Sequence, residues 1–159
     1  MSIVKLPQME RQRVEELLKN QVLCRIAFKG EEYPYIAPFQ YAYLDGNLYF
    51  HFTRYGKKIA LITKDNRVAV EIESYESDLS QYSFVVFRGE LEEVKDNKEK
   101  IKALARMAEI GSQRLSTNFL AAHGLDKSDG WHALPAEKSL AIMKLTNVNE
   151  TVALGSPKS

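Results

Sequence analysis

Lys57 and Lys58 follow a glycine within residues 33–58, where two aromatic-rich predicted strands give way to a short helix. A helix N-terminus presents unpaired amides and a partial positive charge, and a nearby lysine adds a full charge. Gly56 allows a close backbone approach that a Cβ would block. The element therefore favours a bound phosphate, although Gly-Lys-Lys triplets also occur by chance on surfaces where the lysines are only solvated.

His51 precedes this element and shares a predicted strand face with Tyr49 and Thr53. A single strand histidine is more often a half-buried packing residue than a catalyst. If the face is the wall of a cofactor site, His51 is placed to contact the cofactor, and it is the candidate for a catalytic acid. The sequence leaves packing and catalysis both open.

Pro34 and Pro38 interrupt a strand that otherwise alternates well between residues 33 and 44. Proline cannot donate a ladder hydrogen bond, so these positions belong at a sheet edge or a bulge. The simpler interpretation is edge protection; the functional one is that amides near Phe39 and Gln40 stay free for the polar rim of a ligand. Combined with the glycine-lysine element, the pattern favours a planar phosphorylated cofactor, and flavin mononucleotide (FMN) is the most common one in a chain this short.

Two further positions are open to both a structural and a functional interpretation. Ser83 begins a predicted strand, where its hydroxyl could bind a phosphate or ribityl chain or could be an ordinary strand-edge serine. Trp131 is the only tryptophan and lies in a predicted loop. It is a candidate to plug a barrel end or to stack on a ring, including one bound by a neighbouring subunit.

The sequence pattern predicts short strands in sequential order, with helices at the margins. Asp45-Gly46 predicts a hairpin turn, and Asp96 with Glu99 predicts a capping box. Strands are predicted at residues 22–28, 33–44, 47–53, 67–73, 82–94, 139–145 and 151–154, and helices at 7–20, 57–66, from 96 through 108, and around 115–124. The prediction is a mainly β fold, a six- to seven-stranded closed antiparallel barrel with a few flanking helices.

Length and composition bound the class of protein. The 159 residues predict one domain, with residues 1–5 and 155–159 as disordered tails. The net charge of +1 favours neither nucleic acid nor a membrane as a partner.

Cys24 is the only cysteine, and its apolar strand predicts an inert thiol. The three histidines lack tight ligand spacing, so no metal site is expected. With no signal peptide or membrane span evident, we expect a cytoplasmic protein.

The order of these motifs resembles the pyridoxamine 5′-phosphate oxidase-like FMN-binding split-barrel superfamily, and within it the nitroimidazole-resistance (nitroreductase-type) branch. A strand with a central proline, a strand ending in Phe-His and a Gly-Lys-Lys element follow one another in that branch as they do here. The likeness covers roughly residues 22–94, and residues 111–138 have no counterpart in it.

The resemblance implies a split β-barrel that forms a homodimer, with FMN in a groove between the subunits and a small molecule as substrate. Relatives that bind haem or a deazaflavin leave those cofactors open as alternatives. The residues that the resemblance places at the cofactor are Pro38, Phe39, Gln40, Tyr41, His51, Phe52, Thr53, Lys57, Lys58, Ser83 and Val85. Trp131 is added to them as a candidate stacking partner.

The function implied by the resemblance is an FMN-dependent oxidoreductase that passes electrons from a reduced nicotinamide donor to a small oxidised acceptor. The chain ends in TVALGSPKS rather than in the Arg-Leu-x-Pro type motif of authentic pyridoxamine phosphate oxidases, which disfavours the vitamin B6 reaction. The first alternative is a non-catalytic flavin- or haem-binding protein of the same fold. A nucleic-acid-binding barrel with stacking tyrosines is a second, which the balanced charge disfavours.

Overall fold

A computed structural model describes residues 2–136 and 139–157, and in this part of the chain six antiparallel strands close into a barrel in the order β1-β2-β3-β6-β5-β4. The predicted closed barrel is confirmed. The strands are β1 (Leu23–Phe28), β2 (Tyr35–Leu44), β3 (Asn47–Thr53), β4 (Arg67–Tyr75), β5 (Tyr82–Glu93) and β6 (Leu140–Gly155).

Three α-helices flank the barrel in the described residues: α1 (Arg11–Asn20), α2 (Lys57–Lys64) and α3 (Asn97–Arg114). Two 3-10 helices, Thr117–His123 and Trp131–Ala136, connect α3 to β6, so Trp131 begins a helical turn rather than lying in a loop. Among the described residues, none of the helices combines the length and the hydropathy that a bilayer span requires.

β6 is one strand where the sequence predicted two. Its residues 143–146 and 150–155 both pair with β5. Pairing with the same neighbouring strand keeps the two stretches in one continuous strand. The break in the sequence pattern corresponds to a register shift opposite Arg88 and Glu90 and to Asn147, whose φ is 48°. An irregularity of this kind bends a strand without ending it.

The barrel interior takes one face of each strand. Phe28, Phe39, Phe50 and Phe52 meet there, with the rings of Phe39 and Phe52 stacked at 5.0 Å. This arrangement agrees with the predicted alternation of β2 and β3, because residues two apart on a strand share a face. The aromatic cluster is the main apolar filling of the barrel beside α2.

The outer face of the β2–β3 hairpin is buried as well. Ala42 and Tyr49 pack there against Leu104 and Met107 of α3, in a second apolar cluster outside the barrel. Residues 48–52 of β3 are therefore buried without interruption, which is the pattern of a strand that is covered on both sides. This outer layer is the one that covers His51.

Arg13 ties α1 to the end of the chain. Its Nη1 donates to the Ser156 carbonyl at 2.6 Å, and its Nη2 donates to the Tyr82 carbonyl at 2.8 Å and to Ser83 Oγ at 3.0 Å. Gly155 ends β6, and Ser156 is buried. Both residues therefore belong to the folded domain, which differs from the predicted tail boundary at 155; residues 1, 158 and 159 of the predicted tails lie outside the described residues.

Replacing Arg13 with alanine is expected to lower the free energy of unfolding by about 2–3 kcal/mol, because its charged hydrogen bonds are lost and the Ser156 carbonyl is left without its donor. Arg11→Ala is the matched control on the same helix. Arg11 is exposed and pairs only with Glu15 one turn away, so its loss is expected to change stability by about 0.5 kcal/mol or less. Urea denaturation measures both, and equal losses for the two variants would contradict the assigned role of Arg13.

Candidate functional site

β2 and β3 separate partway along their length. Residues 41–44 of β2 pair with residues 47–50 of β3. Beyond that point, in the described part of the chain, β2 pairs with β1 and β3 pairs with β6. Pro38 lies in the separated half of β2, where its missing N–H leaves no donor without a partner. Its predicted position at an interrupted edge is confirmed, and the gap is called the split below.

The alternation of an antiparallel strand decides which backbone groups face the split. The Tyr41 amide donates to the Val22 carbonyl at 3.2 Å, which directs it towards β1. The N–H and C=O of Gln40 therefore point the other way, into the split, as do those of Ile36. Of the two amides predicted to be free, only that of Gln40 points into the split, since the Phe39 amide faces β1.

α2 begins beside the split with an uncapped N-terminus. Gly56 precedes it with φ 96° and ψ −178°, a conformation that residues with a Cβ rarely adopt. No side chain caps the helix. The amides of its first turn are therefore available to a ligand, and their partial positive charge favours an anion.

Lys57 and Lys58 reach from α2 over two rings of β2. The Lys57 Nζ lies 5.0 Å from the centre of the Tyr35 ring, and the Lys58 Nζ lies 5.1 Å from that of Phe39. Within the described residues neither lysine has a carboxylate partner. The full charge of both therefore remains available to a bound anion.

His51 lies on the outer face of β3 and is buried by the layer that packs there. Its ring stacks on that of His123 at 3.9 Å with an angle of 24° between the planes, and the Trp131 ring meets His123 edge-on at 5.2 Å. Burial, with smaller contributions from His123 and Lys58, lowers the pKa of His51 to about 3. His51 is therefore neutral at pH 7 as placed, and a catalytic acid role for it stays a prediction.

Four of the predicted site residues point their side chains into the barrel. Phe39, Tyr41, Phe52 and Val85 belong to the interior cluster, and the Tyr41 hydroxyl donates to the Leu18 carbonyl at 2.7 Å. Their side chains face away from the outer surface of the sheet. Within one chain, any contact that they make with a ligand on that surface is left to their backbone.

Thr53 and Ser83 lie far apart. Thr53 Oγ1 donates to the Tyr55 carbonyl at 2.9 Å, beside the start of α2. Ser83 is the second residue of β5, whereas the other end of β5 is the one near α2, where Glu93 pairs with Arg54. At about 3.3 Å per residue, Ser83 is roughly 30 Å of strand from that end. One chain does not bring Ser83 to the lysines.

His123 was not predicted to lie at the site, since it is far from His51 along the chain. Burial lowers the pKa of His123 to about 4. Four buried side-chain nitrogen and oxygen atoms lack a hydrogen-bond partner in the described residues. They are Gln40 Oε1, His51 Nδ1, His123 Nε2 and Trp131 Nε1. Two of these unsatisfied atoms thus lie on the outer face of β2 and β3, and two lie on the 3-10 helices.

A cavity of about 900 Å³ lies elsewhere, between α1, the β2–β3 turn and β6. No predicted site residue lines it. Arg11 is the cation among the described residues that line it, and it already pairs with Glu15. A phosphorylated ligand therefore finds a better site at the split, where two lysines without carboxylate partners lie beside an uncapped helix.

Solved structures share this fold. The crystal structure of a FAD-binding protein from Mesorhizobium loti has a TM-score of 0.68 at 18% identity, over 97% of this chain and 100% of that one. A candidate 5-nitroimidazole antibiotic resistance protein from Bacteroides thetaiotaomicron has a TM-score of 0.66 at 19% identity, over 97% and 92%. A heme binding protein from Mycobacterium smegmatis has a TM-score of 0.65 at 16% identity, over 90% of this chain and 52% of that one.

At such low identities these likenesses show the fold alone, and no curated protein matches the sequence. The sequence does match the family described as pyridoxamine 5′-phosphate oxidase over residues 10–131. The match extends on both sides of the region that carried the resemblance and reaches Trp131. This protein therefore belongs to the pyridoxamine 5′-phosphate oxidase family, within the split-barrel superfamily that its motifs resembled.

Proposed function

We propose that this protein is a homodimeric FMN-dependent oxidoreductase. The observation that carries the proposal is the uncapped start of α2, where Lys57 and Lys58 have no carboxylate partner in the described residues, beside a β2 edge with free backbone groups. The first feature suits a phosphate dianion, and the second suits the donors and acceptors along the rim of a flavin. Family membership supports the same cofactor.

Different residues hold the phosphate and the ring of the cofactor. Lys57, Lys58 and the first amides of α2 neutralise and orient the phosphate. The backbone of Gln40 and Ile36 offers hydrogen bonds to the ring, in a register that the pairing of β2 with β1 fixes. Bound FMN would supply the redox chemistry, with a reduced nicotinamide as donor and a small oxidised molecule, such as a nitroaromatic, as acceptor.

The homodimer is supported by what surrounds the split. Tyr33, Ile36 and Tyr55 are large side chains next to it and are 78%, 63% and 77% exposed. Exposed apolar groups around an open groove are typical of a surface that another chain covers. A second copy would bury them and supply the other wall of the groove. A cytoplasmic location belongs to the same proposal, since the free thiol of Cys24 suits a reducing compartment.

A second candidate is a non-catalytic haem- or flavin-binding protein. The fold is shared with a protein described as heme binding. Burial also keeps His51 and His123 neutral at pH 7, which is the form of imidazole that binds a metal. Iron ligation by either ring would require the stacked pair to separate.

The absorbance spectrum of the purified protein separates these functions. We expect a yellow protein that releases FMN on denaturation, is reduced by NADH or NADPH, and is reoxidised by an added acceptor. A Soret band would point to haem instead, and a bound flavin that no nicotinamide reduces would point to a binding protein. A colourless protein that takes up no added FMN would contradict the proposal.

A further inference from the structure

The segment from Leu115 to Ala136, here called the lid, covers the wall of the split that carries His51. It consists of the two 3-10 helices and the loop between them. Gly124 and Gly130 bound this loop, each with φ 73°. Short 3-10 helices have poor hydrogen-bond geometry, so a lid built from them depends on its contacts with the barrel and with α3.

Two ring contacts hold the lid in place. His123 stacks on His51 of β3, and Trp131 lies against Gly111 of α3 while meeting His123 edge-on. The buried residues Leu120 and Leu134 add apolar packing. His123 therefore anchors the lid to β3, and Trp131 anchors it to α3 while packing against His123.

The closed lid leaves polar atoms unsatisfied on both sides of the contact. On the wall this atom is His51 Nδ1, and on the lid they are His123 Nε2 and Trp131 Nε1. Buried polar atoms without partners destabilise the arrangement that buries them, and opening the lid hydrates all of them. The closed and open arrangements are therefore closer in free energy than the apolar packing alone would make them.

We propose that the lid is a proton-operated gate: uptake of a proton by the stacked His51–His123 pair opens it and uncovers the wall of the split.

The groups that face the pair set the direction of this response. α2 contributes the cation Lys58, and the lid itself contributes Trp131 and the Phe119 carbonyl, 3.4 Å from His123 Nδ1. A proton on either ring would be buried beside its stacked neighbour, and one on His51 would also lie near the charge of Lys58. No carboxylate acts on either ring in the described residues, so nothing there offsets the added charge.

The pKa values agree with that direction. Closure lowers the pKa of His51 to about 3 and that of His123 to about 4, whereas both return towards 6.5 when the lid opens. Protons therefore bind more tightly to the open state. The preference for closure is complete above about pH 6.5 and is lost progressively as the pH falls towards the values of the closed state. The gate itself rests on the stacked histidine pair and the unsatisfied buried atoms around it. Only its consequence, controlled access to a bound flavin, rests on the proposed function.

Trp131 reports the gate directly because it is the only tryptophan. We expect its emission maximum to shift to the red, and its quenching by acrylamide to increase severalfold, between about pH 7.5 and about pH 4.5. Circular dichroism should show the barrel intact over the same range. Hydrogen exchange, corrected for its intrinsic pH dependence, should lose protection in the lid and keep it in β4 and β5, and this measurement needs no variant.

The variant His51→Phe/His123→Phe keeps two stacked rings and removes both titrating groups, so its Trp131 emission should not respond to pH. His132→Gln is the control, since His132 is an exposed histidine of the lid and its loss should leave the response as in the parent protein. A parent protein whose lid stays protected down to about pH 4.5 with the barrel folded would overturn the gate. So would a double variant that responds as the parent does. Neither result bears on whether the protein binds FMN, which the absorbance spectrum decides separately.

Discussion

The double variant Lys57→Ala/Lys58→Ala is expected to bind FMN about 100- to 10,000-fold more weakly than the parent protein. Hydrogen bonds to charged groups contribute about 1.5–3 kcal/mol each, and about 1.4 kcal/mol corresponds to a factor of ten in affinity. Each lysine therefore accounts for about 10- to 100-fold. Titration of FMN fluorescence, or calorimetry, measures the loss.

Comparing the affinity for FMN with that for riboflavin, which lacks the phosphate, shows whether the lost interaction was with the phosphate. The parent protein should prefer FMN to riboflavin, and the double variant should lose most of that preference, because the contacts proposed for the lysines are with the phosphate alone. The preference should also fall as salt rises, since the lysines lie at the surface and their charges are screened. A variant that loses affinity for both ligands equally would place the lysines at the ring rather than at the phosphate.

Lys98→Ala is the matched control for the lysine variants. Lys98 lies in the first turn of α3 and is exposed, so its removal changes the net charge without touching the split. It should leave FMN affinity nearly unchanged. If Lys98→Ala weakened binding as much as Lys58→Ala, the effect would be one of overall charge, and Lys58 would have no place at the site.

The parts of the site that could be predicted are those with local causes. The alternation of β2 and β3 follows from side chains that point to opposite faces of a strand, and the turn at Asp45-Gly46 follows from residues that accept positive φ, which both do here. Pro38 marks the split because proline lacks the donor that a paired strand would need. Each signal lies within a few residues of the feature that it predicts.

The cover of the site could not be predicted, because its contacts join distant residues. The stack of His51 on His123 crosses from β3 to a 3-10 helix, an element with no clear periodicity in a short segment. The pattern of β2 likewise does not say what lies over Gln40, whose amide Nε2 donates to the Met107 carbonyl of α3 at 2.9 Å. Ser83 is a third case: its hydroxyl fits a phosphate site, but the length of β5 carries it away from α2.

Gly111→Val is expected to lower the free energy of unfolding by about 2–3 kcal/mol and to release the lid, since overpacking a filled site is destabilising by about that amount. A Cβ at this position would overlap Cε3 and Cδ2 of the Trp131 ring. The obstacle is a flat, buried ring rather than the end of a flexible chain. Trp131 must therefore leave its place against α3.

Ser112→Val is the matched control, because it places the same side chain one residue further along α3 at an exposed position. Serine and valine have similar helix propensities, so this variant should change stability by about 0.5 kcal/mol or less. Chemical denaturation gives both values, and Trp131 emission gives the local effect. With the lid displaced, Gly111→Val should show red-shifted, quenchable emission already at neutral pH, and the further response to acid should be small. A Gly111→Val protein as stable as Ser112→Val, with Trp131 still buried, would mean that α3 does not hold the lid.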